Sequence, residues 1–357
     1  MTEYGRCPLG YNSHYKGPFN PYDETCYPGG SSSGIAVSVM TGLVPIAVSF
    51  DSGGSIRLPA AMSGAFGLAP TFGRIPHDGE DSVASPNIHA GVNTATVTDH
   101  ALAYSLLAQN APDHFYTRLF GQDGPPRPHL TDFDKIEDFT CLRIGIFWDY
   151  FNDADPEIVT KCKEAILQLE SRGAKIVEVT IPHLNAITLA HQLSVSMEIS
   201  HNQERDYYSR RDLEPATFIQ IALGNDMTAM GHLSSSRLRG WAIDYCKRLF
   251  AEQIDVFVTP TIPITAPPIP KSVLSHGECN VPLMGVIMRY ITLTNFTGMP
   301  GMSMPIGYSE KNGLPISIQF MADHWKDTLL LRIAHFVEKK ILFRREPKHF
   351  VKVSVEA

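Results

Sequence analysis

Three observations in the sequence predict an α/β fold. Short apolar runs of strand character alternate with helical patterns along the chain. One strand–helix–strand unit, over residues 142–181, has the spacing of a parallel crossover. The 357 residues, 43% hydrophobic and 19% charged, suffice for a large core.

The elements follow in order. Residues 1–30 are rich in Gly, Pro, Tyr and Asn and read as loops and turns. The small residues of 33–41 predict a short packed helix, Gly42 punctuates it, and VPIAVSF at 44–50 reads as a buried strand. Residues 51–55 form a glycine-bearing turn before the small, apolar stretch 58–67. Residues 71–97 read as mixed loop, and Thr98 caps a helix over DHALAYSLLAQN. Residues 110–140 hold Pro and charge with little periodicity and read as a linker or exposed loop. LRIGIFW at 142–148 is a strand. Asp155 and Pro156 open a helix with apolar residues at 158, 162, 165, 166 and 169, and Gly173 sits beyond its end. AKIVEVTI at 174–181 is the second strand of the crossover. Residues 185–253 are mostly helical, and DVFVTP at 255–260 is a strand entering a Pro-rich loop. Then come a helical stretch at 283–297, strands at 301–307 and 315–321, and a helix over 326–340. No internal repeat or low-complexity tract interrupts this order.

Composition narrows the function classes. A formal net charge of −7 argues against binding nucleic acid or anionic membranes through bulk charge. The six cysteines form no C-x-x-C pair and are too sparse for a disulfide framework, so they read as reduced thiols of an intracellular protein. The first residues have no apolar core of a signal peptide, and the most apolar stretch, 35–50, is too short to span a bilayer. The fourteen histidines show no metal-ligand spacing, so neither a metal nor a cofactor is expected. His77, Asp78 and Gly79 read as a turn. The methionines between 284 and 304 read as core packing ahead of an acyl-channel lining.

Two small-residue segments suit acyl transfer. They are PGGSSSG at 28–34 and DSGGSIR at 51–57. Either alone is an ordinary turn. Joined by a small-residue helix and a strand, they make more. Successive glycines let backbone N–H groups converge into an oxyanion hole, and a serine ending such a turn can act as nucleophile. A neutral serine needs a base, and neither segment holds a histidine. A second serine relaying to a neutral lysine would serve.

The span 28–74 resembles the amidase signature, a long and specific pattern. The resemblance continues through DVFVTPT, NFTGMPGMSMPIG and GLPISIQFM, so it covers essentially the whole chain. APPIP, GECN and MRYITLTNFTG are most similar to the plant-type fatty acid amide hydrolases of that family. It implies one amidase-signature domain over 1–357, an α/β/α fold with a central mixed sheet flanked by helices. It also implies a Ser–cis-Ser–Lys catalytic group. By motif the nucleophile falls on Ser55 and the cis-serine on Ser31, with the oxyanion hole on the N–H groups of Ser52, Gly53, Gly54 and Ser55. Ser32 supports the network, and Asp51 and Arg57 hold the loop, unless that pair is only a structural ion pair. Ser33 stands where many relatives have Gly.

The family's lysine lies several tens of residues before the cis-serine, and only thirty residues precede Ser31. Lys16, the one lysine among them, sits in a stretch that resembles a region after the family lysine, so the role is not carried to it. The expectation is a fragment or a gene model begun at an internal methionine, ahead of an inactive short form or one using another base. The resemblance implies hydrolysis of a small-molecule or lipid amide through a serine acyl-enzyme. It leaves room for peripheral membrane association and a homodimer. The alternatives are the glutamine-hydrolysing subunit of a tRNA-dependent amidotransferase, which needs partner subunits, and a non-catalytic remnant.

Overall fold

The computed structural model describes residues 1–77, 79, 86–109, 127–131, 133–135, 137–203 and 213–351. Its strands are β1 (Ile46–Asp51), β2 (Phe66–Ala69), β3 (His89–Thr94), β4 (Arg143–Ile146), β5 (Lys175–Glu178), β6 (Val256–Pro260), β7 (Gly301–Tyr308) and β8 (Pro315–Ala322). They form one mixed sheet in the order β1-β3-β2-β7-β8-β6-β4-β5. The crossover is as expected: β4 and β5 pair in parallel, joined by the helix Pro156–Glu170. Asp155 caps that helix by accepting from Glu157 N, and the five apolar positions are all buried. Gly173 takes φ +98°, the left-handed conformation a glycine adopts freely.

Because side chains alternate across a strand, each sheet face has its own core. On one face Val256, Val258 and Phe320 pack with Tyr104, Ile166 and Leu330 from three helices. On the other, Phe257 and Met321 join the long helices Leu184–Asn202 and Ala229–Glu252. A further cluster gathers the N-terminal turns with the helices Ser33–Met40, Arg57–Ser63 and Val281–Ile287.

Several expectations need correction. The segment 71–97 contains β3, which the sequence reading misses. HAGVNT has almost no apolar pattern, and the strand exists because β1 and β2 pair with it on either side. The helix that follows is Val97–Leu107, and its cap is Thr96, not Thr98. The Thr96 hydroxyl accepts from Asp99 N at 3.2 Å and donates to its carboxylate at 2.6 Å. β1 is a sheet edge rather than a buried strand, and Val48 and Phe50 alternate outward, 47% and 37% exposed. The helical stretch 283–297 is two helices, Val281–Ile287 and Thr292–Thr297. Residues 110–126 of the expected linker lie outside the described residues, as does Asp78 of the expected turn. Past them, Phe139 is buried and Leu130 and Phe133 pack on the core, so that part is no free linker. Among the described residues no helix is long and apolar enough to cross a membrane.

Candidate acyl-transfer site

β1 ends on Asp51, the chain turns through residues 52–55, and the helix Arg57–Ser63 begins. Asp51 organises this turn. Its carboxylate accepts from Gly54 N at 2.6 Å, from Ile56 N and from the Arg57 guanidinium at 3.1 Å. Asn295 Nδ2 donates to both its carboxylate and its backbone carbonyl. Arg57, completely buried, also donates to Gln319 Oε1, Asn295 Oδ1 and the Ile291 carbonyl. Burial alone would raise the Asp51 pKa. The Arg57 charge, with hydrogen bonds from Arg57 and Asn295, outweighs it and holds the carboxyl well below its usual range. Asp51 and Arg57 are thus an ion pair and also the clamp of the turn.

The turn admits little but glycine. Gly54 has φ +99°, and a Cβ there would lie 2.3 Å from Ile291 Cγ2. A Cβ on Gly53 would meet His191 Cε1 at 3.1 Å and Met288 Cε at 3.3 Å. His191 Nε2 lies 2.8 Å from the Ser52 carbonyl. Burial lowers the His191 pKa to about 4, so the ring is neutral at neutral pH and donates from Nε2. A planar trans peptide then turns the Gly53 N–H to the side opposite the Ser52 carbonyl. His191 therefore orients one of the four expected oxyanion donors.

Those four donors are not equivalent. The Gly54 N–H is engaged by Asp51, and Gly54 is buried. Ser52, Gly53 and Ser55 are partly exposed, and among the described residues the N–H groups of Gly53 and Ser55 donate to no protein acceptor. The unengaged donors are thus those of Gly53 and Ser55, and Gly54 holds the shape of the turn.

The second segment packs against the first. Ser32 N donates to the Ser55 carbonyl at 3.4 Å, and Ser31, Ser32 and Ser33 are buried. The Gly30–Ser31 peptide is cis. Gly29 and Gly30 donate to the Leu9 and Pro8 carbonyls, and a Cβ on Gly30 would lie 2.2 Å from the Cys7 carbonyl. Thr2 N donates to the Ser31 carbonyl at 2.9 Å. The structure therefore brings Ser31, Ser32, Ser52, Gly53, Gly54 and Ser55 together, with Asp51 and Arg57 beneath them. Lys16 is exposed. Of the methionines, Met299, Met302 and Met304 are core, whereas Met288 borders the turn.

Sequence reasoning misses His191, Asn295 and Gln319. Asn295 begins the NFTGMPG motif, a signal to which the residues alone attach no role. His191 reaches Ser52 from 139 positions away, with nothing local to mark it.

The fold and this paired turn define an amidase-type chain, and comparison with known proteins agrees. The family model described as Amidase matches residues 1–331. A fatty acid amide hydrolase of Medicago truncatula is 33% identical over 344 residues, which is 95% of this chain and 56% of that protein. A glutamyl-tRNA(Gln) amidotransferase subunit of Akkermansia muciniphila is 32% identical over 93% of this chain and 74% of its own length. The solved glutamyl-tRNA(Gln) amidotransferase subunit from Thermotoga maritima superposes with a TM-score of 0.75 at 26% identity, covering 94% of this chain and 72% of that one. A 6-aminohexanoate cyclic dimer hydrolase has a TM-score of 0.83 at 22% identity, over 98% of this chain and 76% of its own, a likeness of fold. The chain belongs to the amidase family. It spans a little over half the length of the plant fatty acid amide hydrolases it matches.

Proposed function

We propose that this chain carries the nucleophile and oxyanion site of an amide hydrolase, with Ser55 attacking the amide carbonyl. The observation that carries the reading is the clamped turn, which sets Ser55 beside the unengaged N–H of Gly53 and against the buried Ser31–Ser32 segment. Ser55 Oγ forms the bond to the acyl carbon as its proton passes through Ser31 to a base, a lysine in the family's scheme, and that proton goes on to the amine nitrogen as the carbon–nitrogen bond breaks. Water then releases the acyl group. The Gly53 and Ser55 N–H groups bind the oxyanion. Partly exposed Met288 borders the turn with apolar surface, which suits an acyl chain and a small or lipid-like amide. A role within an amidotransferase complex, supported by the amidotransferase relatives, would require copurifying partner proteins.

The test is labelling by a fluorophosphonate probe, read by intact mass, with Ser55→Ala as control. Labelling that disappears in the control is the expected result, and it would mean that a base of this chain other than the family lysine serves Ser55. A folded chain that stays unlabelled would refute an activated Ser55, and with it this reading.

A further inference from the structure

A second concave site lies apart from the paired turn. Where β4 and β6 begin and the neighbouring β8 ends, the surface opens into a cavity of about 420 Å³. That volume falls within the roughly 300–1,000 Å³ of small-molecule sites. Its apolar lining draws on both cores, Phe139 and Leu142 from one face of the sheet and Phe250 and Ile254 from the other. Leu329 adds a partly buried side chain. None of the lining residues belongs to the segments 28–34 or 51–57.

The charges around this lining are unevenly satisfied. Its three carboxylates all have partners. Asp255 accepts from Arg143 Nη2 at 2.9 Å and Nε at 3.1 Å. Asp138 accepts from Thr140 N at 2.9 Å, and Asp323 from His324 N at 2.8 Å. The two cations differ. Among the described residues the side chains of Lys326 and Arg332 make no hydrogen bond or ion pair. With Leu329 they follow one another at three-residue intervals where the helix Asp327–Phe336 starts, so they share one wall. A cation beside apolar surface, with water kept from one side, attracts an anion more strongly than it does in open solvent.

We infer that this cavity binds a small amphiphilic anion, a carboxylate or phosphate group on a short apolar body. The body replaces water against Phe139, Leu142 and Phe250, and the anionic oxygens pair with Lys326 and Arg332. Arg332 can hold two oxygens at once, and Lys326 acts as a point charge. A cationic ligand would meet two uncompensated cations, because the acids are already engaged. The site stands independently of the acyl-transfer reading.

Cys141, exposed in the same lining, reports occupancy, and Cys279, exposed outside it, is the internal control. The test follows alkylation of both thiols by iodoacetamide, read by peptide mass, with octanoate, octyl phosphate or octan-1-ol present at equal concentration. Octanoate or octyl phosphate should slow Cys141 about five-fold or more, the scale of a charge-assisted pair, and leave Cys279 unchanged. Whichever protects more names the head group. Octan-1-ol should not protect. The double substitution Lys326→Gln with Arg332→Gln, on two side chains that reach solvent, should remove the protection. No protection by either anion, equal protection by the alcohol, or protection that survives the double substitution would each overturn the assignment. The first two outcomes need only the parent chain. None of them bears on the labelling of Ser55, so the two readings fail separately.

Discussion

The crossover β4–helix–β5 and the Asp51–Arg57 turn are built on opposite principles. The crossover is apolar and local: a helix cap, one buried stripe and a terminal glycine bring two parallel strands together over residues 142–181. The turn is polar and distant. Asp51 and Arg57 are fully buried, and their partners Asn295 and Gln319 lie 238 and 262 positions from Arg57. Burial of apolar surface tolerates exchange of one side chain for another of similar size. A buried charge network does not, because removing one member strands another. The difference teaches that the candidate site is the less forgiving of the two regions.

Arg57→Leu should have the largest effect. It leaves the Asp51 carboxylate buried without its cation, at a cost of about 3–5 kcal/mol of stability. Urea unfolding of variant and parent measures it. A loss below about 1 kcal/mol, the size expected of an exposed pair, would break the comparison.

A middle-sized effect is expected from acid. His191 is neutral when folded, with a pKa of about 4 against an ordinary 6.5. The unfolded chain takes up this proton first as pH falls. The stability from keeping the ring neutral is therefore complete above pH 6.5 and is lost between 6.5 and 4. Replacing His191 with Gln should remove about 2–3 kcal/mol of pH dependence over that window. Unfolding midpoints at pH values of about 7.5 and 4.5, on either side of most of that loss, check this. Parallel profiles for the two proteins would count against it. His89 and His100, buried and likewise lowered, to about 4 and about 3, keep the rest of the acid sensitivity in both proteins.

The smallest effect belongs to the crossover. Asp155→Ala removes one helix cap and should cost about 1 kcal/mol. Its effect on Ser55 labelling should be nil. A change in labelling would mean that the two regions are coupled.

Much of this is legible in the chain. The order of glycines and serines in 28–34 and 51–57 is a local signal, because tight turns and left-handed conformations are decided by a few neighbouring residues. The helix Pro156–Glu170 is equally legible, since cap, period and stop all lie within or beside its own length. β3 is not. Its six residues carry no alternation, and only pairing with β1 and β2 makes them a strand.

By itself the sequence determined the family resemblance, the crossover and the residues of both small-residue turns. Tertiary structure alone decided which of fourteen histidines orients the Ser52 carbonyl, and that the Gly54 N–H is committed to Asp51. It also decided that two nitrogens of the Arg6 guanidinium lie buried without a hydrogen-bond partner among the described residues. The physical reason is range. Backbone conformation at a turn is set by its immediate neighbours, whereas the partner of a buried polar group is whatever the rest of the fold brings within hydrogen-bonding distance.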